Sequence, residues 1–361
     1  MAAPPSPGVD HADALRRSLP IYWALVLALL TGLLLLAFWM LQGVLLLIFI
    51  AALFAAAVSG PSARLERLGL PRALAILSVY GVVASVLFGI GYLVVPNAVA
   101  QVATAADDLP GYSERFDGIR RQYEALREDY PALKPFNEQF AGVRDQVIDG
   151  ATARLLDLPT RLFSLFIDTL SVFVISVMLV TNRERILTLI LSLTHPAHRD
   201  ETRMVLTRIW QRLGHYLRAK LIVMVIIGSI TYVGLLLIGV PYPLMLAIIV
   251  ALGQLIPRAG PWMARIPLLT IAMLEGWTTF GLTFGLSIIV ENLKGLVISP
   301  FVEGDQLDIH PLLVFISVLI GATMFGAAGA FVAVPAAAAL EVVFQEVILP
   351  WRKRQLQPAE S

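Results

Sequence analysis

Four long stretches of the chain carry no Asp, Glu, Lys or Arg: residues 21–58, 73–95, 221–240 and 311–340. A helix crossing a ~30 Å hydrocarbon core needs about 20 apolar residues. The first stretch suffices for two crossings, with a turn expected at Gln42-Gly43. Gly60, Pro61, Gly69 and Pro71 then stop the helix. A third span is predicted over 73–95, a fourth over about 162–180 and a fifth over about 221–240. Residues 96–159 form a polar module with eleven acidic and seven basic residues, in which YSERFDGIRRQYEALRED has helical periodicity. The basic stretch 182–213 is read as an amphipathic helix.

The C-terminal half contains a repeat. PYPLMLAIIVALGQLIPRAGPWMARIP lies over DIHPLLVFISVLIGATMFGAAGAFVAVP at a spacing of 68, without gaps. Pro243 falls on Pro311, Gly253 on Gly321 and Pro267 on Pro335. Each segment reads as a Pro start, an apolar half, a Gly/Pro break and a second apolar half. The halves are too short to span, and the breaks contain Pro257, Gly260 and Pro261 in one copy and Gly321, Gly326 and Gly329 in the other, with Pro335 beyond. Irregular backbone at membrane depth survives only inside protein or beside water. Each segment is therefore expected to be a re-entrant helical hairpin, the two forming an inverted repeat around a midplane site. Simple full spans are the alternative.

The expected fold is an all-α polytopic membrane protein with six to eight transmembrane helices. Its layout is a disordered cytoplasmic N-terminus (1–20), three spans (21–95), an extracytoplasmic helical module (96–159), a fourth span (160–181) and a cytoplasmic amphipathic segment (182–213). Two helix-plus-hairpin repeats (214–276 and 277–349) and a cytoplasmic C-terminus (350–361) follow. The apolar run after residue 20 is too long for a signal peptide and is read as a retained first helix.

Composition agrees: 58% of residues are hydrophobic, well above the soluble norm. A net charge of +1 gives no case for a nucleic-acid partner, and the absence of cysteine excludes thiolate chemistry. Arg16 and Arg17, the Arg64, Arg67 and Arg72 group, the arginines of 183–212 and the Arg352–Arg354 cluster share one face when both termini are cytoplasmic.

GVPYPLMLAIIVALGQLIPRAGP resembles the first signature of the AI-2E (autoinducer-2 exporter-like) permease family. EGDQLDIHPLLVFISVLIGATMFGAAGAFVAVP resembles its second, and LVTNRERI the stop after the fourth helix. The resemblance implies a bacterial inner-membrane permease, a homo-oligomer in the bilayer, whose relatives export the furanone signal autoinducer-2 or exchange sodium for protons. Arg258, where the family carries an aromatic or apolar residue, and Lys294, where relatives carry an acid, depart from the pattern.

Charge inside a span costs at least about 2.5–3.5 kcal/mol, so such residues are candidates for function. Glu291 and Lys294 lie at i, i+3 with Asn292 alongside, and Glu291 is a candidate proton or cation ligand or one half of a structural pair. Asp168 stands alone in the fourth span. Arg258 and Arg265 flank the first break, placed either to bind an anionic or oxygen-rich solute or to snorkel to lipid phosphate. His310 is read as the residue that starts the second hairpin. Glu341 and Glu346 are read as interfacial, and Gly281 and Gly285 as a small-residue packing face. His195 and His198 lack the company a metal site needs. Gly321 to Gly326 is spaced like a phosphate loop, but Ala327-Ala328 replaces its Lys-Ser/Thr pair.

The expected activity is therefore secondary transport of a small polar metabolite or signal, outward, with no enzyme activity and no cofactor beyond a coupling proton or sodium ion. A cation/proton antiporter is the alternative mechanism, and a non-transporting scaffold or channel the alternative class. The charge pattern makes a direct prediction. A cysteine at Ser113 reacts with an impermeant maleimide in spheroplasts and one at Thr194 does not; the reverse labelling would invert the orientation.

Overall fold

The computed structural model describes residues 11–108, 111, 118, 121, 158–257, 259–302 and 310–350. All regular structure among them is helical. The chain divides into two units, Met1–Ile48 and Phe49–Ser361.

Helix α1, His11–Arg67, runs through both units without interruption. The turn expected at Gln42-Gly43 does not form. A lone glycine costs a helix only about 1 kcal/mol relative to alanine, and nothing else in this Leu- and Ala-rich run breaks the backbone hydrogen bonding. The part in the first unit exposes Leu25, Leu29, Leu33 and Trp39, an arrangement suited to lipid and costly in water. The part in the second unit buries Ala51, Leu53 and Ala55 completely.

Helix α2, Arg72–Gly89, leads through a π-helical turn, Ile90–Val94, into α3, Val95–Asp107. The sequence reading ended this helix before Pro96. Proline removes one backbone donor, and the wider π turn just before it absorbs the mismatch and lets the helix continue. Helix α4 spans Leu158–Thr181 and α5 spans Arg183–Ser192. Helix α6, Arg199–Ile238, fuses much of the basic amphipathic stretch and the fifth span into one 40-residue rod. Most of the polar module, residues 109–157 apart from three positions, lies outside the described residues, as do Arg258, residues 303–309 and the C-terminal arginines.

The second half of the chain is built on α6. Helix α7, Pro243–Gly253, and α8, Ala259–Leu274, form the first broken segment; α9, Trp277–Leu293, continues through a π turn, Lys294–Ile298, into α10, Ser299–Val302; α11 is Pro311–Val343. Helices α7, α9 and α11 all pack on α6. Val223, Ile227 and Leu235 of α6 meet Leu246 and Val250 of α7, Leu268 of α8 and Val290 of α9 in the main core.

Both broken segments are hairpins. A Cβ on Gly260 would collide with the carbonyl of Gly253, and Gly253 faces Ala264 at 2.9 Å from the position of a would-be Cβ. In α11 the backbone leaves helical geometry at Phe325 (φ −134°, ψ 15°) and Gly326 (φ 61°, ψ −143°). The second value lies where only glycine sits without strain. Gly329 then returns against Gly321, and Gly321 meets Ala333. Residues eight apart on a straight helix would stand about 12 Å apart, so the chain has folded back. The matching pairs also correct the gapless register. Gly253 corresponds to Gly321, but Gly260 corresponds to Gly329, one residue later, so the second tip is one residue longer.

With no hydrophobic force between helices in lipid, close backbone approach supplies the packing energy. Adding even one methyl at such a contact forces a backbone shift worth about 1–3 kcal/mol. Gly260→Ala and Gly329→Ala are each expected to lower the midpoint of thermal unfolding in detergent. Gly281→Ala, where a Cβ meets nothing within 4 Å, is expected to leave it unchanged. Equal midpoints for all three would refute the close-packed hairpins.

Candidate functional site

The first hairpin turns beside a small cavity whose mostly apolar wall carries a few polar groups. Its walls come from four elements: Thr231 of α6, Val250 and Gln254 at the end of α7, Pro261, Arg265 and Leu268 of α8, and Leu286, Ser287, Val290 and Glu291 of α9. The cavity holds about 20 Å³. A water needs about 10–15 Å³, so there is room for one small species.

Each polar group arrives for a local reason. Gln254 follows the last helical residue of α7, where the helix stops and side chains turn inward. Its Nε2 donates to the Val250 carbonyl at 3.3 Å, which fixes the amide orientation and leaves Oε1 facing the cavity side. That oxygen is buried without a partner, as is Thr231 Oγ1. Thr283 Oγ1, one turn before Ser287, is likewise buried and unpaired. Ser287 Oγ donates to the Phe284 carbonyl at 2.8 Å and keeps its lone pairs. Buried polar atoms are nearly always satisfied, and an unsatisfied one costs about 1–3 kcal/mol. Gln254 and Thr231 both line the cavity, and a carbonyl oxygen beside a hydroxyl suits a solute group that both donates and accepts.

The charged wall is a triad. Arg265 Nη2 donates to Glu291 Oε2 at 3.1 Å, and Lys294 Nζ to Glu291 Oε1 at 3.4 Å. The sequence pairing of Glu291 with Lys294 is present, and Arg265, 26 residues earlier, completes it. The two cationic side chains are 16% and 17% exposed and the carboxylate 41%. One carboxylate therefore balances two partly buried cations, and the group carries a net positive charge that favours an electronegative solute. Trp262 lies 4.8 Å from the Arg265 guanidinium carbon, ring centre to carbon, and holds it from the other side.

Other candidates lie elsewhere. Asn292 donates back to the Ile288 carbonyl and is exposed, away from the triad. Asp168 is exposed on α4. Arg258 lies outside the described residues. Pro257 is in the break itself, Pro261 in the first turn of α8, and Pro335 inside the returning arm of α11. His310 caps α11, its Nδ1 accepting from the Leu312 amide at 3.2 Å. Glu346 pairs with Arg208. No neighbour crowds Gly281 or Gly285 in this chain. Sequence reasoning passed over Thr231, Gln254, Thr283 and Ser287, because uncharged polar residues in apolar runs carry little signal; the one hint was a glutamine beside a helix stop.

A second contact ties the hairpin to α3. Gln101 Oε1 accepts from the amides of both Leu244 and Met245, each at 3.0 Å. These are free amides of the first turn of α7, which its own helix cannot satisfy. Tyr242, at φ 54°, turns the chain into α7 and donates its hydroxyl to Asp108 at the end of α3.

The exposed apolar helices and broken hairpins define an all-α polytopic membrane protein. The chain belongs to the AI-2E transporter family: the family's model, described as AI-2E family transporter, matches residues 24–348. It is 28% identical over 289 residues to "Putative transport protein YrrI" of Bacillus subtilis, covering 76% of this chain and 78% of that one. It is 26% identical over 328 residues to "Putative permease PerM" of Escherichia coli K12, covering 87% and 89%. YueF, a "Putative transport protein" of B. subtilis, is 24% identical over 312 residues, covering 84% of each.

Loss of a side-chain cap costs a helix about 0.5–2 kcal/mol. Gln101→Ala is expected to speed amide hydrogen exchange at the start of α7 about 2- to 30-fold while exchange in α9 stays unchanged. Unaltered exchange at Leu244 and Met245 would refute the tether.

Proposed function

We propose that the chain is a secondary transporter that moves a small polar, oxygen-rich or anionic metabolite outward across the bacterial inner membrane. The observation that carries this reading is the pair of buried polar atoms without partners, Gln254 Oε1 and Thr231 Oγ1, on residues that line one cavity with Arg265 at the turn of a helical hairpin. A solute hydroxyl donates to Gln254 Oε1, and its oxygen accepts from the Thr231 hydroxyl or from Arg265. Both hairpins are re-entrant in this reading, and their tips open alternately to the two faces. The resting cavity admits only a water-sized species, so loading requires the first hairpin to move. The AI-2E family name supports transport without choosing the solute.

The basic ends of α1, α2 and α5 face the cytoplasm in this proposal, as does the C-terminus, and residues 109–157 lie outside. The N-terminus was also expected inside. That assignment rests on Arg16 and Arg17 alone.

A cation/proton antiporter is the second reading, favoured by the accessible Glu291 carboxylate between two cations. Counterflow of radiolabelled small polar metabolites in proteoliposomes, under imposed proton or sodium gradients, tests both. Gln254→Leu is expected to lower solute exchange at least tenfold. If Glu291 couples the cycle, Glu291→Gln abolishes gradient-driven efflux and spares exchange. If it only neutralises the cations, Glu291→Gln lowers protein yield instead. Adding Lys294→Met then recovers yield in part, because Arg265 remains unpaired. Solute-independent cation flux lost in Glu291→Gln would favour the antiporter. Downhill flux without counterflow would indicate a channel and overturn the proposal.

A further inference from the structure

We propose that the cleft between α2 and α4 is a binding site for a single anionic phospholipid, with its phosphate at Arg72 and an acyl chain between the helices. This inference is independent of the transport reading. The cleft encloses about 740 Å³, within the range of about 300–1,000 Å³ of ligand sites. Arg72 stands at one end, and Ile76, Tyr80, Ala84, Phe173 and Val177 line the rest.

The two helices are pinned rather than zipped together. Tyr80 and Ser176 share a buried hydrogen bond of 2.5 Å, and the Tyr80 ring meets Phe173 edge-on with centroids 5.3 Å apart. Alongside that pin the apolar walls stand open. Water does not fill such a space, because a site for it needs several polar partners.

Size separates the remaining occupants. From Arg72 to Ala84 the helix rises about 18 Å, which gives the cleft a mean section of about 40 Å². An α-helix with side chains, about 10–12 Å across, needs roughly twice that or more. A helix of a second copy is therefore too wide, whereas one or two hydrocarbon chains fit.

Charge selects the headgroup. Arg72 is the one charged residue of the cleft among the described residues. Arg64 and Arg67, in the last turn of α1, precede it by a short turn, with Glu66 the one acid among them. No ion pair is present between these arginines and a carboxylate among the described residues. Guanidinium groups bind phosphate oxygens in pairs, and clustered arginines at a membrane surface select anionic lipid.

The test uses the full chain, purified in mild detergent from membranes containing phosphatidylglycerol and phosphatidylethanolamine, with retained lipid counted by native mass spectrometry. One lipid per chain is expected, with phosphatidylglycerol enriched over the bulk ratio. Gly81→Trp fills the cleft from a position where a Cβ meets nothing within 4 Å, and is expected to cut retention at least tenfold. Should that variant fail to fold, Ala84→Phe serves the same purpose. Arg72→Gln is expected to keep a lipid but lose its enrichment in phosphatidylglycerol at least fivefold. Arg199→Gln, a basic residue outside the cleft, is expected to change neither. Wild-type retention in the filled variants would overturn the proposal, as would equal loss in Arg199→Gln. Efficient cross-linking between copies through Leu77→Cys would overturn it in favour of a second copy.

Discussion

Two apolar helices in lipid gain nothing from the solvent by associating, so close backbone approach is one of the few forces that can hold them together. Here the approach is made by pairs of glycines, Gly253 with Gly260 and Gly321 with Gly329. Each pair closes a hairpin whose tip leaves helical geometry. Helix α6 gathers the hairpins by packing against an arm of each and against α9. The cavity is a by-product of that arrangement. It forms where α7 stops short, and the residues that end the helix become its walls.

The charges depend on the same geometry. Arg265 reaches Glu291 because α8 returns alongside α9, and Lys294 reaches it from the next turn. A carboxylate shared by two cations is held firmly and still leaves positive charge in excess. Breaking such a group by removing one member strands the others, which makes the triad intolerant of piecemeal change. The nearby hydroxyl and amide oxygens cost less to leave without partners, about 1–3 kcal/mol each.

Much of this was legible in the sequence. Uncharged runs of more than twenty residues identified membrane helices, and glycine with proline at matching positions identified both breaks. The chemistry of Glu291 with Lys294 was legible because charge is rare in such runs. Continuity was harder to read. Gln42-Gly43 looks like a turn but is spanned by helix, and Pro96 looks like a stop but follows a π turn that accommodates it. Arg265 could be proposed but not assigned to Glu291, since a contact across 26 residues depends on the fold of the hairpin. Gln254 and Thr231 were silent, because their significance lies in having no partner, which only three-dimensional packing reveals.

The two hairpins begin differently. The second is capped by its own neighbour, His310, two residues before the amide it serves. The first is capped by Gln101, from a helix far away in sequence that leads directly toward residues 109–157. The pair is thus mechanically unequal despite its shared plan. A pull or twist delivered along α3 is passed directly to the first hairpin, whereas the second has no such hydrogen-bonded tie to α3 among the described residues.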